Sequence, residues 1–100
     1  MAIYEIDGKI VKTESSKEHY EEKTQWNGRN QISVNTGSQW EHEEIRLSAK
    51  DHWYIVRWSD YQGSLASAEF IEDDEAAKWL LLNRHKLPKR LKEYEAEICE

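Results

Sequence analysis

The sequence predicts an α+β fold in which a small antiparallel sheet of four to six strands carries a C-terminal helix on one face. Asp7-Gly8 stands between two short β-prone runs, which is typical of a type I′ hairpin turn. A second β-prone region covers residues 43–58. Residues 73–85 begin with acids and continue as a dense apolar block, which indicates a helix that packs across the sheet.

The chain has 100 residues, which suits a single domain over 1–100. Its hydrophobic fraction is 38% and its charged fraction 34%, but five Trp, five Tyr and one Phe provide a small, aromatic-rich core. Apolar residues after Pro88 recur at helical spacing, so we expect a tail helix from about 88. Residues 90–100 are interpreted as a tail that frays or contacts a partner.

The charge balance and the single cysteine restrict the class of protein. A net charge of -6 disfavours general attraction to phosphate backbones. Cys99 is the only thiol, which suits a reducing compartment, and the N-terminus lacks the pattern of a signal peptide. The longest nearly apolar run, 76–82, is far shorter than the ~20 residues that span a membrane. We therefore expect a cytoplasmic protein without a membrane segment.

The segment between the two β-prone regions is the least defined. Ser15 or Ser16 is suited to cap a short helix within 15–26, although its apolar face is thin, and Asn27-Gly28 would end it. Whether this segment is helical is left open. Residues 31–34 are predicted to form a short strand.

The central hairpin is predicted to turn at Lys50-Asp51. A two-residue loop there places apolar side chains of both strands on one face and an opposite-charge pair on the other. The predicted pairs are Leu47 with Tyr54, Ile45 with Val56, Glu43 with Trp58, and Glu44 with Arg57.

A third strand follows a predicted three-residue turn at 61–63. This register sets Ala66, Ala68 and Phe70 opposite Trp58, Val56 and Tyr54. The alanines leave room for a bulky element, so we expect the helix that carries Trp79 to dock on this face. Asp73 is a better N-cap than Glu72 for that helix.

The residues give little support for catalysis. The serines fall in turns and caps, the glycines form no phosphate-binding loop, and Cys99 lies in a charged tail. His42 and His52 lie at different ends of the predicted hairpin, too far apart to share a metal ion. We therefore predict a protein that is not an enzyme and that uses no metal or cofactor.

Two surfaces are candidates for binding. Exposed apolar patches with aromatics and Arg mark protein contacts. The sheet face opposite the helix and the apolar block of the helix are both candidates for such a patch. Either surface could also be the interface of a homodimer. The alternative is that the N-terminal hairpin or the tail helix covers that sheet face. The candidate protein-contact residues are Trp53, Ile55, Arg57, Leu81 and Leu82.

Nucleic-acid binding is the second candidate function. Cations cluster around Pro88, where they could contact phosphates, although cations also populate helix C-termini for electrostatic reasons and acids follow directly. The candidate nucleic-acid contacts are Arg84, Lys86, Lys89, Arg90 and Lys92. The favoured function remains a small non-catalytic protein-binding or regulatory module.

The chain also resembles a group of small uncharacterised bacterial and phage proteins. Their motifs DGKxYxTxxA, LYxTKKGxWFL, IxxxEAxxWL and HxLPxxL correspond here to DGKIVKTESS, IRLSAKDHWYIV, FIEDDEAAKWLLLN and HKLPKRL. The chain departs from them where KKG becomes AKD and where the usual Ser cap is Glu72. The resemblance implies the order of the elements and a mobile-element or phage origin, and it implies no activity.

Overall fold

The computed structural model describes residues 2–34, 36–38, 40–60, 63 and 65–99. They form an α+β fold whose centre is a four-stranded antiparallel sheet with the strand order β3-β6-β7-β8. Two further two-stranded sheets are formed by β1 with β2 and by β4 with β5. The strands are β1 (Ile3–Ile6), β2 (Lys9–Lys12), β3 (Glu18–Glu21), β4 (Thr24–Trp26), β5 (Gln31–Ser33), β6 (Glu41–Leu47), β7 (Trp53–Ser59) and β8 (Ser67–Phe70). The helices are α1 (Asp73–Leu82) and α2 (Glu95–Ile98), with 3-10 turns at Thr13–Ser15 and Lys89–Tyr94.

The inner strand β7 is covered on both faces, since its first four residues, Trp53 to Val56, are all buried. Trp53 lies opposite Leu47, and Ile55 lies opposite Ile45. These side chains form one core with α1 and the C-terminal tail. Its buried helix and tail residues are Ala76, Ala77, Trp79, Leu80, Leu87 and Leu91.

The second core lies on the other face of the sheet, under the N-terminal hairpin. Ile6 and Val11 of the hairpin pack with Tyr54 and Val56 of β7. The hairpin turns at Asp7 and Gly8 with φ values of 50° and 81°, the positive values that a type I′ turn requires. The hairpin predicted at this dipeptide is confirmed.

Helix α1 is stabilised at both ends. Glu72 and Glu75 form a capping box at its start, so the N-cap is Glu72 and the prediction of Asp73 is wrong. At its end the N–H groups of Arg84 and His85 donate to the carbonyls of Leu81 and Leu80, which is a Schellman motif. The helix therefore ends at Leu82, three residues before the predicted 85.

The predicted register of the central hairpin is wrong by one residue. The loop has three residues, Ala49 to Asp51, because Ser48 donates its N–H to the His52 carbonyl and Asp51 adopts a φ of 66°. A shift of one residue exchanges the faces of a strand. The helix consequently packs on the face of Trp53 and Ile55, and the N-terminal hairpin packs on the face of Tyr54 and Val56.

The predicted pairing of β7 with the third strand is confirmed where Tyr54 lies opposite Phe70 and Val56 lies opposite Ala68. Ala66 precedes β8 and is exposed. The predicted turn at 61–63 lies mostly outside the described residues, although Gly63 has a φ of 84°. The alanine-bearing face receives the N-terminal hairpin, not α1.

The segment 15–26 is not a helix. It contains the end of a 3-10 turn, the strands β3 and β4, and their connection. Tyr20 packs against the core beneath α1, and β3 adds an edge strand beside β6. A helix with one thin apolar face would bury less surface, whereas this strand gains a ladder of backbone hydrogen bonds.

Candidate functional site

Two of the five predicted protein-contact residues are interior. Trp53 and Ile55 are 2% and 4% exposed beneath α1, so neither side chain can reach a partner in this fold, and the prediction is wrong for both. Its cause is the register error, which assigned these side chains to an outer face.

The other three predicted contact residues differ in their surroundings. Arg57 is exposed but binds Glu43 and Glu69, with its guanidinium nitrogens 3.3 and 2.6 Å from their carboxylates. Leu81 packs against the core of α1, whereas Leu82 is 67% exposed.

The basic segment is only partly available for phosphate contact. Arg90 lies between the carboxylates of Glu18 and Asp51, at 3.3 and 3.0 Å, so its charge is balanced within the fold. Arg84 occupies the turn that ends α1. The side chains of Arg84, Lys86, Lys89 and Lys92 are exposed and make no ion pair with the described residues.

A cluster of hydrogen-bonded polar side chains surrounds His42 in β6. Its Nδ1 lies 2.7 Å from a Glu22 oxygen, and its Nε2 lies 2.8 Å from an Asp60 oxygen. The ring packs against Trp58 with centroids 5.6 Å apart. Burial alone would lower the pKa of His42, but the hydrogen bonds and charges of Glu22 and Asp60 outweigh it and raise the pKa above 6.5.

The arrangement favours a protonated His42 held between two carboxylates. Both ring nitrogens of His42 are engaged by carboxylates, so neither is available to take a proton from a substrate. The two carboxylates lie on different sides of the ring and do not converge with it on one point. Among the residues that the structure describes, no group of three potential ligands could hold a metal ion.

Glu22 extends this cluster to the next hairpin. Its second carboxylate oxygen accepts the hydroxyl of Ser33 at 2.7 Å and the N–H of Glu43 at 2.9 Å. Ser33 is the last residue of β5 and is 1% exposed. The cluster therefore anchors the base of the β4–β5 hairpin to β6.

The rest of that hairpin projects from the fold. All residues from 23 to 31 are exposed, and in the described chain β4 and β5 pair only with each other. Trp26, the last residue of β4, is 61% exposed. We call residues 23–34 the Trp26 hairpin.

The tip of the Trp26 hairpin is held by a single side chain. Asn27 Oδ1 accepts the N–H groups of Arg29 and Asn30 at 2.9 and 2.8 Å. The Asn27 N–H also donates to the Asn30 carbonyl at 3.1 Å. The indole is therefore carried by a pre-formed turn, with Lys23 and Arg29 as the hairpin's only charged residues.

Comparison of the chain with protein-family models, curated proteins and solved structures gave no significant match. The described part of the chain contains no helix with the length and apolar composition needed to cross a membrane. The argument for function therefore depends on the geometry of the surface.

The Trp26 hairpin was missed because its turn was interpreted as the end of a helix. Asn27-Gly28 begins a four-residue loop between the β-prone runs TQW and QIS, and two such runs separated by roughly three to five residues that include Gly are typical of a hairpin. The sequence thus contained a pattern that indicates a hairpin at this position. The thin apolar face of the segment before it was a second sign against a helix.

Proposed function

We propose that the protein is a non-catalytic protein-binding module whose contact element is the Trp26 hairpin. The single observation that carries the proposal is a Trp that is 61% exposed on a pre-formed turn. Water-exposed indole is unfavourable, and Trp is among the residues that contribute most to binding when a partner's pocket encloses them. The exposed free thiol of Cys99 supports action in the reducing cytoplasm.

The charge of the Trp26 hairpin supports an acidic partner. The Trp26 hairpin carries two positive charges, from Lys23 and Arg29, on a chain whose net charge is -6. The partner that matches it is a protein with an apolar pocket, for the indole, surrounded by carboxylates for the two cations. Such complementarity favours rapid and selective association.

The base of the hairpin is fixed while its tip is free of the core. At one end Glu22, which is bound by His42, accepts the Ser33 hydroxyl, and at the other end Asn83 accepts the Lys23 N–H at 2.7 Å. A contact element that is ordered before binding loses less conformational entropy on association. This arrangement supports a binding role for the exposed strand pair.

The test is affinity capture from the native host with the parent, Trp26→Ala and Leu82→Ala. Leu82 is 67% exposed on α1, so its variant controls for the loss of exposed apolar surface elsewhere. We expect a protein that the parent and Leu82→Ala retain and Trp26→Ala loses. With that purified protein, Trp26→Ala should weaken binding by about thirtyfold or more and Arg29→Glu by about fivefold. Equal capture by all three proteins would contradict the proposal.

Two other outcomes would replace the proposed partner. A dimer in light scattering that Trp26→Ala converts to a monomer would make a second copy of this chain the partner. Salt-sensitive binding of DNA or RNA that is lost on replacing Lys89 and Lys92 by Gln would transfer the function to the basic segment. Either result overturns the proposal of a carboxylate-rimmed protein partner.

A further inference from the structure

A pocket of about 510 Å³ lies between the N-terminal hairpin and the turn that joins β6 to β7. This volume is within the range of small-molecule sites in proteins, roughly 300–1,000 Å³. The Trp26 hairpin contributes no residue to it. The lining residues are Lys9, Ile10, Val11, Lys12, Ser15, Ser48, Ala49, Lys50, His52 and Phe70.

The charge of the pocket is opposite to that of the chain. Its lining includes three lysines and no acid, although the net charge of the protein is -6. Asp51 follows Lys50 directly, but its carboxylate is held by Lys17 and Arg90 at 2.7 and 3.0 Å. These two cations compensate Asp51, so it does little to reduce the positive potential of the pocket.

Three acids of the N-terminal segment are also outside the lining. Glu5 lies opposite Ile10 in the strand pair, Asp7 is in the turn, and Glu14 is in the 3-10 turn. All three are exposed to solvent, which screens their charges. Lys9, Lys12 and Lys50 make no ion pair with the described residues.

Part of the pocket lining is apolar. Ile10, Val11 and Phe70 supply aliphatic and aromatic surface, and His52 stands edge-on to Phe70 with ring centroids 5.5 Å apart. Ile10 is 63% exposed, although it is a large hydrophobic side chain. Ser48 Oγ accepts the backbone N–H of His52 at 3.0 Å, and its hydroxyl proton is still available as a donor.

We propose that this pocket binds a small organic anion with an apolar body, such as an aryl or branched-alkyl carboxylate, sulfonate or phosphate monoester. The lysine ammonium groups and the serine hydroxyls bind the anionic head. Ile10, Val11 and Phe70 enclose the apolar body. Neither half of the site is sufficient alone, since lone phosphate gains no apolar burial and a neutral hydrocarbon gains no charge contact.

The probe is 8-anilinonaphthalene-1-sulfonate, titrated at low and moderate salt with its neutral relative N-phenyl-1-naphthylamine and with inorganic phosphate. We expect saturable 1:1 binding of the sulfonate that weakens as salt rises. The neutral relative and phosphate should each bind at least about tenfold more weakly, because each lacks one type of contact.

The variants localise the site. The double variant Lys12→Gln/Lys50→Gln should bind the sulfonate about tenfold more weakly than the parent. Ile10→Ser should bind both aromatic probes about threefold more weakly. Lys78→Gln/Lys86→Gln removes the same charge outside the pocket and should bind like the parent. Thermal unfolding of each variant identifies those that keep the parent fold, and only these are compared.

Three results would overturn the proposal. The first is non-saturable binding of the sulfonate. The second is equal weakening by the Lys12/Lys50 and Lys78/Lys86 pairs, which would indicate only the overall field of the protein. The third is binding of phosphate as tight as that of the sulfonate, which would leave a simple anion site without the apolar contact. Because Trp26 is outside the pocket, Trp26→Ala should bind the probe like the parent, so this test is independent of the protein-binding proposal.

Discussion

The side-chain carbonyl of Asn83, at the end of α1, accepts the backbone N–H of Lys23 at 2.7 Å. Its amide nitrogen donates to the Trp79 carbonyl at 2.7 Å, and the side chain is only 2% exposed. One buried amide therefore joins the end of the helix to the base of the Trp26 hairpin. We expect Asn83→Ala to lower the free energy of unfolding by about 1 kcal/mol, because the Lys23 N–H loses its acceptor, whereas the Trp79 carbonyl keeps the backbone N–H of residue 83 as its donor.

Urea denaturation measures this loss, and hydrogen exchange at the Lys23 amide locates it. Asn30→Ala is the matched control, since Asn30 is exposed at the tip of the same hairpin and should change stability by less than about 0.5 kcal/mol. Slow exchange at Lys23 in Asn83→Ala would mean that the hairpin base is held by something other than this amide.

The position of α1 can be tested through Trp79 and Glu43. The Trp79 indole N–H donates to a Glu43 carboxylate oxygen at 2.8 Å, and Glu43 shares its sheet face with Ile45 and Leu47. A double-mutant cycle of Trp79→Phe and Glu43→Ala should give a coupling energy of about 1–2 kcal/mol, as expected for a hydrogen bond to a charged group.

Glu69 provides the control cycle, because it also binds Arg57, whereas the Trp79 indole N–H donates to Glu43. Trp79→Phe and Glu69→Ala should be additive within about 0.5 kcal/mol. Additivity in the Glu43 cycle as well would place the helix away from this face of the sheet.

The register of the central hairpin shows why the helix could not be placed from the sequence. A strand with one buried face reveals its register by alternation, but Trp53 to Val56 are apolar without interruption because both of their faces are covered. Only the length of the loop could then decide the register of the hairpin. The three-residue loop needs positive φ at Asp51, and Asp tolerates this conformation better than most residues.

Local patterns were sufficient where one face or one turn decided the structure. Asp7-Gly8 defined the first hairpin, and the spacing of Ala76, Trp79 and Leu80 defined α1. The exposed surface of the Trp26 hairpin could not be predicted in this way. Whether Trp26 is exposed depends on whether segments distant in the sequence cover it. No local pattern distinguishes a Trp in the core from one on a projecting hairpin.

The end of α1 contains a strained residue. Arg84 has a φ of 64°, in the C′ position of the Schellman motif where Gly is usual. Its exposed side chain makes no ion pair with the described residues, so replacement removes little. We expect Arg84→Gly to raise the free energy of unfolding by about 1 kcal/mol, because Gly adopts this conformation without steric cost.

Lys86→Gly is the control for this change, since Lys86 is also exposed and basic but is not among the residues with positive φ. It should leave stability unchanged or lower it by up to about 1 kcal/mol through chain entropy. Denaturation of both variants at moderate salt separates the backbone effect from the shared loss of charge. Equal changes in the free energy of unfolding of the two variants would mean that the loss of charge alone explains the result.

His42 should make stability depend on pH in a defined direction. Its pKa is raised in the folded protein, so the folded state holds this proton more tightly than the unfolded chain, whose His pKa is about 6.5. The stabilisation is fully present below about pH 6.5 and is lost as pH rises through the raised folded pKa. We therefore expect the free energy of unfolding of the parent to fall, relative to His42→Gln, as pH rises above about 6.5.

Urea denaturation at intervals from about pH 5.5 to 9 measures this difference, and His52→Gln is the control because His52 is exposed and bound to no carboxylate among the described residues. The His52 variant should keep the slope of the parent. A constant difference between the parent and His42→Gln at every pH would mean that His42 contributes by packing on Trp58 and by neutral hydrogen bonds. Glu22 would then need no imidazolium to remain in place, and the base of the Trp26 hairpin would stay equally ordered in alkaline solution.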